Sequence, residues 1–277
     1  MPEGHTVHRL ARQHRKALAG QTIITTSPQG RFSTGAKRLN GQELKRVDAH
    51  GKHLFYRWAG GEILHIHLGL FGKFRLHNTK PAPAPTPNTR LTMTGDEATV
   101  YLAGPTVCEL VDPPEEESIR RRLGPDPLRP GSGALKQTQF IANLARRRIP
   151  IGATLLDQRV IAGLGNIYRA ETLFRTGIDP RLPANQLSDT AAARLWSEGT
   201  TLLRQGRRDG RIITVDPADV GAQRRSDLDR TQRLYVYKRA GEPCRRCGTS
   251  VSVAEMAGRG IWWCTSCQPS GAGSQAF

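Results

Sequence analysis

Three groups of residues, far apart in the chain, have the types and spacing to do chemistry. Cys244-Arg-Arg-Cys247 and Cys264-Thr-Ser-Cys267 are two CxxC pairs with sixteen residues between them, the separation of a zinc ribbon or β-hairpin finger. Four thiolates fill a tetrahedral shell and leave no open position, so one Zn2+ would fold the module and stay out of any reaction. The alternative is two disulfides, which a reducing compartment disfavours. Between the pairs, Gly258 and Gly260 flank Arg259 in a hairpin turn, where its guanidinium could grip a phosphate. At the other end, removal of Met1 would expose the secondary amine of Pro2. An α-amino group titrates near about 8, so part of it is unprotonated and nucleophilic at neutral pH. Glu3 beside it could act as acid, kept protonated by burial. The plain reading is a Pro and a Glu at a helix start, both ordinary there. The third group is Gly163-Leu-Gly165-Asn166-Ile-Tyr168, a glycine turn opening a helix, suited either to holding phosphate on backbone N–H groups or to a packing joint between helices. Tyr168 stands where a dinucleotide fingerprint needs glycine.

These groups sit in a strongly basic chain. The 277 residues carry 41 Lys+Arg against 24 Asp+Glu, a formal charge of +17. Such an excess calls for a polyanionic partner, nucleic acid first, but specifies no reaction. No apolar run approaches the roughly 18 residues of a membrane span, and the first residues do not form a signal peptide. A cytoplasmic protein associated with the nucleoid through DNA is expected, with no membrane partner.

The positioning elements can be read from periodicity. Residues 5–19 place Val7, Leu10, Ala11, His14 and Leu18 on one side of an amphipathic helix. HLFYRW, a Gly-Gly turn at 60–61 and EILHIHL then alternate like strands, extended by TVYLA and TVCELV; Cys108 in the last reads as a buried small hydrophobe. PAPAPTP at 81–87 cannot join a ladder and reads as a stiff loop. Beyond Val111 the prolines and charge runs of 113–130 read as a linker. QFIANLARRR, ATLLDQRVI and TAAARLWSEGTTLLRQG then carry helical periodicity. The expected organisation is a catalytic domain over 1–112, the linker, a helical domain over 131–236, a zinc finger over 237–268 and a flexible tail over 269–277.

Together the motifs resemble the formamidopyrimidine-DNA glycosylase and endonuclease VIII family, in order and over nearly the whole chain. Pro2-Glu3-Gly4 resembles its catalytic start, His50-Gly51-Lys52 its β-hairpin lysine and His67-Leu-Gly-Leu70-Phe71-Gly72 its intercalation loop. GLGNIYRAE from Gly163 to Glu171 is similar to its helix-two-turns-helix signature, and GEPCRRCG through WWCTSCQ to its zinc finger. The resemblance implies an α+β multidomain fold: an N-terminal β-sandwich with a catalytic N-terminal helix, a helix-two-turns-helix domain and a C-terminal β-hairpin zinc finger, with DNA crossing between the first two. It implies Pro2 as Schiff-base nucleophile, Glu3 as acid/base, Lys52 as a phosphate clamp near the lesion, and Asn166 and Arg259 as grips on flanking phosphates, Arg259 counted with the catalytic set. His67 would contact the DNA backbone. Leu70 and Phe71, at a glycine-flanked turn, would fill the gap left by a flipped base, worth about 1–3 kcal/mol per stacked base.

The expected activity is a bifunctional glycosylase and abasic-site lyase acting by β,δ-elimination on damaged duplex DNA, with single-stranded or bubble DNA left open. It would act as a monomer, with one structural zinc and no organic cofactor. The chain departs from the family's pattern at His5 and Thr6, where Pro and Glu are usual. Residues 103–109 show no second intercalation loop and 211–230 no Gly-rich lid, which favours oxidised pyrimidines. The alternatives are a purine-lesion preference within the family, or a non-catalytic zinc-ribbon protein holding nucleic acid through charge.

Overall fold

The computed structural model describes residues 2–79 and 81–270, and they divide into two compact units, residues 1–122 and 123–277. Unit 1 opens with α1 (Gly4–Leu18), whose apolar stripe of Val7, Ala11 and Leu18 is buried. Eight strands and a short helix follow: β1 (Thr22–Thr26), α2 (Ser33–Leu39), β2 (Gln42–His50), β3 (His53–Trp58), β4 (Ile63–His67), β5 (Lys73–His77), β6 (Thr89–Thr94), β7 (Thr99–Ala103) and β8 (Val107–Val111). They pair antiparallel in the order β5-β7-β6-β1-β2-β3-β4-β8. Leu91, Met93, Val100 and Leu102 from one half of this sheet share a single buried cluster with Val47, Leu54, Tyr56, Leu64 and Ile66 from the other. The sheet therefore closes over its own core as two layers, with α1 against it.

His14, on the buried stripe of α1, places Nδ1 2.7 Å from the Tyr56 hydroxyl. Burial pushes its pKa down to about 3, and burial followed by the Arg9 charge lowers His5 to about 4. Below pH 6.5 the unfolded chain protonates both while the folded chain does not. Their contribution is therefore full above pH 6.5 and is lost as pH falls below it. Acidification from pH 7.5 to 5.5 should cost about 1.4 kcal/mol for each, roughly 3 kcal/mol in all. Urea unfolding at the two pH values measures this, and a His14→Gln variant should lose about 1.4 kcal/mol of the wild-type pH effect.

The stretch expected as a linker is shared between the units. It begins with α3 (Pro113–Arg121), started by a capping box in which the Asp112 carboxylate accepts from the Glu115 N–H at 2.7 Å and Glu115 accepts from the Asp112 N–H at 2.8 Å. Glu116 on this helix accepts from Arg57 at 2.6 and 2.7 Å and from Arg120 at 2.7 Å, and Arg120 reaches Asp48 at 2.6 Å, so α3 is riveted to β2 and β3.

Unit 2 holds α4 (Gly133–Ala145), α5 (Ile151–Thr154), α6 (Asn166–Thr176) and α7 (Asp189–Asp209), then the hairpin β9 (Ser252–Met256) and β10 (Arg259–Trp263). The helical expectation over 153–161 is corrected: only α5 forms, and turns run from there to α6. Polar side chains capture the backbone there. Asp157 accepts from the Arg159 N–H at 2.9 Å, while Gln158 accepts from the Gly163 N–H at 2.9 Å and donates to the Leu164 carbonyl at 2.9 Å. Of the expected tail, residues 271–277 lie outside the described residues. Among the described residues no helix is long and apolar enough to cross a membrane.

Candidate functional site

In unit 1 the candidate residues stand at the head of α1 and at two turns of the sheet. Pro2 lies outside the helix and is partly exposed. Glu3 occupies the N-cap position, is fully buried, and accepts through its carbonyl from the Thr6 and Val7 N–H groups at 2.9 and 3.2 Å. A carboxyl so withdrawn from water favours its protonated form. The departing pair is joined to itself: His5 Nε2 is 3.0 Å from Thr6 Oγ1, with His5 held neutral at physiological pH.

Lys52 sits in the two-residue turn between β2 and β3, closed by the His50/His53 pair, with Gly51 at φ 56°. His67 at the end of β4 pairs with His53 across the sheet. Burial, then the Lys52 ammonium, then His65 lower the His67 pKa, so Lys52 and His67 are neighbours. The loop after His67 puts Leu70 and Phe71 at its tip, 55% and 85% exposed. Both side chains therefore project from a loop tip and take no part in the strand core. Gly69 makes the turn at φ 64°, and a Cβ on Gly72 would lie 2.2 Å from the Leu68 carbonyl oxygen.

Sequence reading missed a chain of side chains on the same sheet face. Glu109 Oε1 is 2.9 Å from His65 Nδ1, and His65 Nε2 is 2.9 Å from His53 Nδ1. The two imidazoles stack at 5.1 Å and 12°, and Arg120 lies 4.1 Å over Phe55 at the end of the column. Burial first, then His67, His65 and His50, pushes His53 down to about 3, so it remains a neutral support beside Lys52. The strand alternation was the available signal, since it puts His53, His65 and His67 on one face once β3 and β4 are paired.

In unit 2 the structure brings Asn166 and the Arg259 turn together. Asn166, first in α6, donates to the Gly260 carbonyl at 3.1 Å, and fully buried Arg169 donates to the same oxygen at 2.7 Å and to Gly152 at 3.1 Å. Arg259 itself is exposed at the start of β10. Glu171, also fully buried, accepts from the Tyr235, Val236 and Tyr237 N–H groups at 2.8, 2.9 and 2.8 Å and from Thr214 Oγ1. The GLGNIYRAE segment is thus a structural latch. Glu171→Gln turns an all-acceptor carboxylate into a group with a donor facing N–H groups. It should cost about 3 kcal/mol in chemical denaturation, and a loss below about 1 kcal/mol would mean those N–H groups find other acceptors.

The four Sγ atoms of Cys244, Cys247, Cys264 and Cys267 lie within 4.8 Å of one another, with Cys244 to Cys267 at 3.8 Å and Cys247 to Cys264 at 3.4 Å. Four thiolates at about 2.3 Å from one zinc are about 3.8 Å apart, so the set fits one structural zinc, while every spacing is too long for a disulfide.

Residues 1–106 match the formamidopyrimidine-DNA glycosylase N-terminal domain, residues 123–216 the formamidopyrimidine-DNA glycosylase H2TH domain, and residues 241–269 the zinc finger found in FPG and IleRS. Endonuclease 8 1 of Mycobacterium tuberculosis is 45% identical, over 97% of this chain and all of its own. The crystal structure of the MutM (Fpg) protein of Thermus thermophilus superposes with a TM-score of 0.77 at 33% identity, covering 98% of this chain and 100% of its own. The Lactococcus lactis formamidopyrimidine-DNA glycosylase, solved non-covalently bound to DNA containing an AP site, gives 0.78 at 27% identity, over 96% and 99%. With its head, signature turn and finger matched in order, the chain belongs to the formamidopyrimidine-DNA glycosylase and endonuclease VIII family.

Proposed function

We propose that this chain is a DNA glycosylase and abasic-site lyase of base excision repair in which the Pro2 amine, freed by loss of Met1, is the nucleophile. The observation that carries the reading is the pairing of a partly exposed Pro2 with a wholly buried Glu3 at the head of α1. The Pro2 nitrogen attacks C1′ of the damaged nucleotide, and the base leaves with the glycosidic electron pair and takes up the proton that the Pro2 nitrogen gives up. Glu3 supplies a proton to O4′ as the sugar ring opens, leaving an iminium. The iminium draws electrons from C2′, a base removes the C2′ proton, and the 3′ phosphate departs. A second elimination releases the 5′ phosphate, and water frees the enzyme from the sugar fragment. In this reading Lys52 and His67 hold phosphates flanking the lesion, and Asn166 and Arg259 of unit 2 also grip phosphates.

Oxidised pyrimidines are the proposed substrates. Leu70 and Phe71 are adjacent on one exposed loop, so a single wedge fills the vacated stack. Leu70→Ala with Phe71→Ala should weaken binding to a lesion duplex about tenfold and leave undamaged duplex unchanged, as fluorescence anisotropy would show. The test of the function is borohydride reduction of the protein mixed with an oligonucleotide holding one abasic site. An adduct mapped to Pro2 is expected, whereas intact DNA binding with no adduct would leave a non-catalytic binder. Competition between duplexes carrying 5,6-dihydrouracil and 8-oxoguanine tests the lesion class, and preference for the purine would overturn it.

A further inference from the structure

The proline loop at 81–87 roofs a cavity of about 470 Å³ on the outer face of the β5/β7 pair, within the volume range of small-ligand sites. The strand that floors it runs directly from the Leu70/Phe71 tip. Alternation on β5 sends Phe74 and Leu76 to the core and Lys73, Arg75 and His77 outward, into the cavity lining. Across the ladder Arg75 is paired with Tyr101. His77 and Tyr101 form a tilted ring pair at 4.9 Å. The Tyr101 hydroxyl donates to the Pro83 carbonyl at 2.7 Å, which ties the roof to the floor. Proline rings give that roof a preset shape, so little ordering entropy is lost when something enters.

Three features of the lining select a ligand. It contains Lys73 and Arg75 and no acidic residue, so an anion is favoured. It offers the His77 and Tyr101 rings with Pro83 as flat or apolar walls, the surface on which a base stacks. His77 Nε2 is buried with no hydrogen-bond partner among the described residues, and the Asn88 amide adds a second polar group able to meet a base edge. Phe71 forms part of the wall, so any duplex entered by that wedge stands at the cavity mouth.

We propose that this cavity binds one unpaired nucleotide of the DNA strand beside the wedge, its base against His77, Tyr101 and Pro83 and its phosphate on Lys73 and Arg75. The site rests on the wedge reading of Phe71 and is independent of the Pro2 chemistry. It gives the protein a use for distorted DNA in which a neighbour of the lesion has lost its partner.

The test is a binding ratio on the full-length, zinc-loaded protein. Two duplexes carry the same uncleavable tetrahydrofuran abasic analogue, one fully paired and one with a single unpaired thymidine next to the analogue. Anisotropy should show about tenfold tighter binding to the second. Arg75→Ala and His77→Ala should each bring the ratio close to one, with affinity for the paired duplex and borohydride trapping unchanged, and Arg75→Lys should keep most of the preference. Equal affinities of the wild-type protein, or a ratio that survives both alanine variants, would overturn the proposal. Binding of thymidine 5′-monophosphate without any such ratio would also overturn it, by assigning the cavity to free nucleotides. Failure of trapping with the ratio intact would remove the Pro2 mechanism and leave the cavity standing.

Discussion

Strand cleavage at an abasic site should fall by more than about 10²-fold when one residue is left ahead of Pro2, while duplex affinity should stay within about twofold. The extension converts the Pro2 nitrogen into an amide, whose lone pair is delocalised and not nucleophilic. It also supplies a new amine, but displaced by one residue, about 3.8 Å, and misplacement of a reacting group by about 1 Å already costs about 10²-fold. The fold gives the chain no easy way to compensate. Glu3 is fixed by burial, and its carbonyl anchors the first turn of α1 through Thr6 and Val7, so the residue before it cannot slide along the helix axis. The proposed phosphate contacts of Lys52, His67, Asn166 and Arg259 are untouched, so binding should survive. Single-turnover cleavage of an end-labelled abasic duplex, with the N-terminus of each preparation fixed by mass spectrometry, makes the comparison. Equal cleavage by the extended form would sink the Schiff-base reading even if the protein binds damaged DNA tightly.

Signals made within one turn were legible in the sequence, and those made only when distant segments pair were not. The CxxC pairs could be read because each pair is made by one turn, and metal ligation restricts the spacing to a few patterns. The Lys52 turn and the exposed Leu70/Phe71 tip were legible for a similar reason, since glycine marks both. Residues 153–161 misled because their apolar spacing is helical, yet Asp157 and Gln158 spend their side chains on nearby backbone groups. The start of α3 lay open in the order Asp112-Pro-Pro-Glu115, a capping box hidden by the prolines that suggested a linker. No local pattern announced the Glu109–His65–His53 chain or the Glu171 latch. Each depends on which strand or segment lies opposite, and that is set by packing of the whole unit. The roof over the β5/β7 cavity was likewise legible as a loop and silent as a wall, because only the Tyr101 hydroxyl bond shows where it rests.

Removing the zinc should be the most damaging single change to unit 2. Structural zinc in small finger peptides contributes about 10–16 kcal/mol at neutral pH, more than the whole stability of many domains, so the hairpin of β9 and β10 cannot hold its shape on its few buried side chains alone. The loss would not stop at the hairpin. Gly260 in β10 accepts hydrogen bonds from both Asn166 and Arg169, and Arg169 is fully buried, so an unravelled turn leaves a guanidinium without one of its acceptors inside the unit. Arg259, one residue away, would lose its fixed position at the same time. Chelation, or Cys264→Ser at a fully buried ligand, should therefore lower affinity for abasic duplex by about tenfold or more and flatten its salt dependence, as expected when phosphate contacts are lost. Unit 1 has its own core and should keep its fold, including the head of α1 that carries Pro2. The measurement is duplex anisotropy at two salt concentrations alongside metal content, before chelation, after it and after zinc is returned. Recovery on adding zinc is expected for the chelated wild-type protein and not for Cys264→Ser. A metal-free protein that binds as tightly, and with the same salt slope, would show that the Arg259 turn is held by its contacts with α6 and owes nothing to the metal.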